Sequence, residues 1–472
     1  MFPWQQFARD PNKRNQIALR DPQGEVFTWQ QVSEQISHYA KLLQSHGVTS
    51  HSGVALCGKN DITILFLYLA TIHLGARVLP LNPAFPVEKR QQYCIAANSQ
   101  FYYASDSLSL TGCQRILLDA DVTVEQREAE VRSDSKKFLV PATMTLTSGS
   151  SGVPKAVVHH VQAHLANAKG VCALMQFNAN GSWLFSLPLY HVSGQGIVWR
   201  WLLAGAILHF PQTDFYASVG QATHVSLVPT QLQRLLAYWQ AHRISKETLK
   251  TRHILLGGAQ IPTTLTSQLT KWGVQSYSGY GMTEMASTVF AKRSDEKIGV
   301  GQPLLGREYR LVEGEIWLKG AGLALGYWQN GGIVPLTNTQ GWFATKDKGI
   351  WRDNELVILG RIDNMFISGG ENIQPEEIEQ VIQQWQFVKQ VFVLPKADPE
   401  FGQRPVAFIE FSQPFSDALV EALTIWLADK LEKFKHPVDY FPLHTQRLQQ
   451  GAIKISRTTL KLVLQDLLGT HE

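Results

Sequence analysis

The chain has 472 residues, of which 44% are hydrophobic and 17% charged, and its net charge is +4. That length calls for two or three domains, and that composition supplies a substantial core and excludes a disordered chain. The mild charge and the absence of a Lys/Arg-rich run give nucleic-acid binding no electrostatic footing.

In chain order, the opening stretch MFPWQQFARDPNKRN lacks the apolar segment of a secretory signal, which points to a cytoplasmic protein. The four cysteines, Cys57, Cys94, Cys113 and Cys172, form no CxxC pair and read as reduced thiols. The apolar run Ile62 to Ala76 falls short of the ~18 residues a membrane span needs, so it reads as a buried helix. RVLPL then reads as a buried strand, and a helix opens near Pro86 and Val87. A strand is expected around Val140, and AVVHH resumes apolar character after the loop that follows. Near the C-terminus, QFVKQVFVLP and PVAFIEFS are strand candidates. PEEIEQVIQQW is a helix with Pro375 in its first turn and Ile378, Val381, Ile382 and Trp385 on one face. The expected fold class is α/β: a large N-terminal domain of α/β-layered subdomains, residues 1–360, and a small mobile α+β domain, residues 361–472.

The stretch TLTSGSSGVPKAVVHH has the composition of an anion-holding loop. Small residues let backbone N–H groups approach a phosphate, hydroxyls add donors, and Lys155 adds charge. A polar surface hairpin or linker is the competing reading of this stretch alone.

Thr147, Ser148, Gly149, Ser150, Ser151, Gly152 and Lys155 resemble the TSG-TTG-PKG signature of the adenylate-forming superfamily, which holds acyl-CoA synthetases, adenylation domains and luciferases. Ala156 replaces the usual glycine. Further segments resemble the same family in the same order: LPLYHVSG with His191, LLGGAQIP, YGMTE, GWFATKD, GRIDNMFISGGENIQPEEIE and GAIKISR. The resemblance runs from about Phe27 to Arg457 and implies an enzyme that uses ATP, Mg²⁺ and CoA to activate a small-molecule carboxylic acid. The residue types suit that chemistry, because two anions must meet and a phosphorus centre must gain negative charge. Tyr280 and Gly281 would face adenine, Thr283 the α-phosphate, and Glu284 would be the metal ligand. Asp347 and Arg361 would hold ribose or phosphate, and Lys454 would reach the reacting carboxylate. The resemblance implies that Gly258 lines the adenine and acyl sites, that Asp363 is a hinge, and that Gly369 and Gly370 face the site during thiol attack. Lys346 departs from the family, which has glycine before the ribose aspartate.

The acid is suggested by YHVSGQGIVWRWLLAGA, read as a helix starting near Ser193 with Arg200 inside it. A guanidinium in apolar surroundings needs an anion or several carbonyls. A structural ion pair with a protein carboxylate, or a snorkelling surface arginine, is the competing reading. HVSGQG…WRW and GAIKISR resemble the branch of the family that ligates 2-succinylbenzoate to CoA in menaquinone biosynthesis, where Arg200 would read the benzoate carboxylate. Another aryl- or acyl-CoA ligase, a carrier-loading enzyme and a non-catalytic nucleotide binder are the alternatives. No motif sets whether the chain is a homo-oligomer.

Overall fold

A computed structural model describes residues 1–118, 138–147, 155–259, 261–445 and 455–469. The chain divides into two compact units: Met1–Glu308 with Lys319–Phe343, and Tyr309–Leu318 with Ala344–Glu472.

Two large sheets organise the first unit. Among the described residues, one has nine strands, with a central parallel run of Gln275–Met282, His253–Leu256, His224–Leu227, Ser182–Leu184, Ile207–His209 and Ile17–Arg20. The antiparallel strand Ser287–Arg293 extends it beyond Gln275–Met282. The other has eight strands, in which Thr143–Thr147 and Lys155–His159 form an antiparallel pair with Thr147 opposite Lys155. The strand expected around Val140 starts later, at Thr143, because Pro141 lacks the N–H that a ladder requires.

Helices fill the layers between. Ile62–His73 is capped by Asp61, whose carboxylate accepts the Ile64 N–H at 2.7 Å, and it is buried on nearly every side. The helices Val161–Met175 and Val192–Ala204 pack against each other and against strand Ser287–Arg293. Among the described residues no helix is long and apolar enough to cross a membrane, and all four cysteines are free thiols.

The second unit contains most of a four-stranded sheet made by Arg307–Val312, Glu315–Gly320, Phe343–Arg352 and Glu355–Arg361, with Arg307 itself in the first unit. Beyond it, the strands Val388–Asp398 and Gly402–Phe411 form a long antiparallel pair, packed by helices Pro375–Ile382 and Asp417–Leu427. The Pro375 helix ends at Ile382, yet Trp385 still joins the same core from the following turn. Gly369 and Gly370, at φ 56° and 89°, make the two-residue turn between Phe366–Ser368 and Glu371–Ile373, a left-handed geometry suited to glycine.

Candidate active site

In the first unit Gly258, Tyr280 and Gly281 lie at or just after the C-terminal ends of parallel strands, where open α/β sheets bind ligands. The strand Gln275–Met282 carries Tyr280 and Gly281 and runs into a short 3-10 turn of Thr283, Glu284 and Met285. A Cβ on Gly281 would lie 2.2 Å from the Ser287 carbonyl oxygen, so only glycine lets the two strands approach there. Gly258 follows strand His253–Leu256 at φ 81°.

Tyr327 donates its hydroxyl to Glu284 Oε1 at 2.9 Å, and the Lys155 ammonium sits 5.0 Å from the centre of the Tyr327 ring. The tyrosine thus orients the carboxylate and links it to the start of strand Lys155–His159. Thr147 donates its hydroxyl to the Lys155 carbonyl. Ser148, Gly149, Ser150, Ser151, Gly152 and Lys454 lie outside the described residues. Among the described residues no cluster of three His, Cys, Asp or Glu side chains could hold a metal ion. One carboxylate suits Mg²⁺ that arrives on nucleotide phosphates, because that ion takes one or two protein carboxylates and keeps phosphate and water as its other ligands. The Glu284 environment therefore fits Mg²⁺.

His191 is the N-cap residue of helix Val192–Ala204, with Ser193 in the first turn and Arg200 two turns further on. Arg200 is 1% exposed. Its Nη1 donates to Ser226 Oγ and its Nη2 to Ser287 Oγ, both at 3.4 Å, and its guanidinium lies 5.0 Å from the Trp183 ring centre. Gly196, one turn earlier, leaves the space that Nη2 occupies; a Cβ there would be 3.1 Å away. Among the described residues Arg200 makes no ion pair, and its Nε has no hydrogen-bond partner. Burial lowers its pKa to about 10, which still leaves it charged at neutral pH. Among the described residues Arg200 therefore does not make the structural ion pair weighed above.

In the second unit Asp347 is buried and accepts from Arg361 Nη1 at 3.2 Å, while Arg361 also forks onto Asp363 through Nε at 2.8 Å and Nη2 at 2.9 Å. Arg361 holds Asp363 below the usual carboxylate range. Lys346 adopts φ 64°, is exposed, and donates its N–H to Glu315 Oε1 at 2.8 Å. A left-handed backbone is why glycine suits that position, and the lysine tolerates it with its side chain in solvent.

Sequence reasoning did not single out Tyr327, Ser226, Ser287 or Trp183. Tyr327 is 43 residues from Glu284 and Ser287 is 87 from Arg200, so local spacing carries no signal of either contact.

The chain belongs to the AMP-binding enzyme family, whose pattern matches residues 4–328, and the family's C-terminal domain matches residues 377–448. Within that family, the chain is 60% identical to the 2-succinylbenzoate–CoA ligase of Haemophilus influenzae over 98% of each protein. A structure of an Escherichia coli MenE variant with bound OSB-AMS superposes with a TM-score of 0.86 at 42% identity, covering 98% of both chains. The o-succinylbenzoate CoA synthetase of Bacillus subtilis, in complex with the acyl-adenylate intermediate OSB-AMP, gives 0.84 at 26% identity and the same coverage.

Proposed function

We infer that this enzyme joins 2-succinylbenzoate to CoA in menaquinone biosynthesis, through an acyl-adenylate, with release of pyrophosphate and then AMP. The observation that carries the reading is Arg200, a buried cation without a carboxylate partner among the described residues, on the helix that begins at His191. A benzoate carboxylate would complete it with charge-assisted hydrogen bonds, and a mono-acid would leave it unpaired. The similarity to 2-succinylbenzoate–CoA ligases over nearly the whole chain supports the same substrate.

In the first half-reaction a succinyl carboxylate oxygen attacks the α-phosphorus of ATP, and the bond to pyrophosphate breaks. Tyr280 and Gly281 face the adenine, Thr283 donates its hydroxyl to the α-phosphate, and Asp347 with Arg361 receives the ribose. Glu284, oriented by Tyr327, would hold Mg²⁺, which when bound offsets phosphate charge. Lys454 offsets the repulsion between carboxylate and phosphate, and the 147–155 loop grips the leaving pyrophosphate. His191, Ser193 and Gly258 border the acyl pocket. In the second half-reaction the C-terminal domain, residues 361–472, turns about Asp363 and brings Gly369 and Gly370 to the site. The CoA thiolate then attacks the adenylate carbonyl and AMP leaves. Four free thiols suit a cytoplasmic enzyme.

The test measures pyrophosphate release with 2-succinylbenzoate, benzoate, coumarate and a medium-chain fatty acid, with and without CoA. The diacid should be preferred by orders of magnitude, and equal use of the fatty acid would refute the reading. Lys454→Ala should abolish adenylation yet leave thiolysis of supplied acyl-adenylate, whereas Asp363→Pro, by fixing φ, should do the reverse. Equal loss of both halves in each variant would remove the two-position cycle.

A further inference from the structure

Arg307 is a second buried guanidinium, 7% exposed, and among the described residues it too makes no ion pair. Burial, with the nearby Arg200 charge, lowers its pKa to about 10. Its partners are carbonyls. Nη1 donates to Leu305 O at 2.7 Å, and Nη2 donates to Asn167 O at 2.8 Å and Thr288 O at 2.9 Å. Asn167, buried on helix Val161–Met175, sends its own Nδ2 to Met285 O at 2.8 Å and to Thr288 O at 2.9 Å. Two side chains thus hold the carbonyls on either side of Ala286 and Ser287. Both of those residues have positive φ, 56° and 124°, a strained turn for residues with a Cβ. Immediately before the turn lies Glu284, and Ser287 within it accepts from Arg200.

The helix is cut to receive this arrangement. A Cβ on Gly170 would lie 2.2 Å from Arg307 Nη1 and 3.1 Å from its Cζ, so the guanidinium reaches Asn167 O only across a glycine.

We propose that Asn167 and Arg307 are positioning residues whose clamp on the 285–288 turn sets the Ser287–Arg200 contact, and so determines preference for a diacid. The clamp rests on Arg200 reading the substrate's second carboxylate. It holds strain in place because two side chains direct three hydrogen bonds onto the two carbonyls, of Met285 and Thr288, that flank the turn. A lysine at 307 would keep the charge and lose the two-nitrogen fork.

The experiment compares 2-succinylbenzoate with 3-benzoylpropionate, which has the same keto acid chain and no ring carboxylate. Steady-state pyrophosphate release is measured on the intact enzyme, with thermal unfolding alongside. Arg307→Met should raise KM for the diacid about tenfold, with KM for ATP within about twofold and the mono-acid little changed. Gly170→Ala should reproduce that pattern by displacing the guanidinium, although alanine is otherwise the better helix residue. Arg307→Lys should stay close to Arg307→Met. Equal loss on both acids, an unchanged diacid KM, or full recovery with lysine would overturn the clamp. If Arg307→Met does not fold, Gly170→Ala and Asn167→Ser decide by the same readout. A wild-type enzyme that does not prefer the diacid, or an unchanged KM in Arg200→Met, would instead sink the substrate assignment beneath it.

Discussion

Arg200 in the first unit is buried and Arg457 in the second is partly buried, and their surroundings are opposite. Arg457 grips Glu379 through Nη2 at 2.6 and 2.7 Å, donates to the Val393 carbonyl at 2.7 Å, and stands 3.4 Å from Glu376. Glu379 also accepts the Val393 N–H at 2.6 Å, so strand, helix and the last helix of the chain meet in one paired cluster. Arg200 has two long hydroxyl contacts and an aromatic face. A cation that serves the fold comes with a carboxylate, as Arg457 does, or with several carbonyls, as Arg307 does, because an unpaired buried charge costs several kcal/mol. Arg200 has neither among the described residues, and the proposed function gives it the ring carboxylate of the substrate.

The sharpest way to break this contrast is to remove each arginine. Arg457→Met strands Glu379 and should cost about 3 kcal/mol, visible as a large fall in thermal stability. An unchanged melting temperature would show that the cluster contributes nothing. Arg200→Met leaves no carboxylate behind, so stability should hold or rise while KM for 2-succinylbenzoate climbs about a hundredfold and KM for ATP stays flat. A melting temperature that fell as far as in the Arg457 variant would make Arg200 structural.

A smaller effect concerns pH. Burial pushes the Glu379 carboxyl up to about 7, against the pull of Arg457. The folded chain then holds a proton that the unfolded chain releases near the ordinary value of 4.5. Stability from this group is present below that value and is lost as pH rises through about 7. Glu379→Gln should flatten that slope in urea titrations across the window, and a slope equal to wild type would assign it elsewhere. The smallest change is Tyr327→Phe, which frees the Glu284 carboxylate to turn. It should raise the Mg²⁺ concentration for half-maximal adenylation about threefold without moving KM for the acid. A shift in the acid's KM would place Tyr327 in the wrong pocket.

Much of the architecture was legible beforehand. The Ile62 helix, the RVLPL strand, the Pro375 helix and the paired C-terminal strands all follow from short-range patterns: 3- and 4-residue spacing, β-branched runs and proline at a first helical turn. The ordered motifs singled out Tyr280, Thr283 and Glu284, which the fold then sets at a strand end and in the turn after it, and the apolar run around Arg200 was legible as the helix that holds it. Lys346 looked like a disturbance beside the ribose motif; its left-handed backbone and exposed side chain show how a non-glycine residue is accommodated.

Residue types and their order along the chain were enough to indicate the chemistry: hydroxyls and a lysine for phosphate, a carboxylate for a metal, an arginine in an apolar helix for a second anion. Whether that arginine already had a partner could not be read there, because charge pairing depends on which side chains meet in space. The folded chain brings Arg307 to Asn167 across 140 residues and Tyr327 to Glu284 across 43, and it brings no carboxylate to Arg200 among the described residues. Backbone periodicity reports only on neighbours within a turn or a strand, so contacts of that span, and whether a buried guanidinium meets a carboxylate, were settled by packing alone.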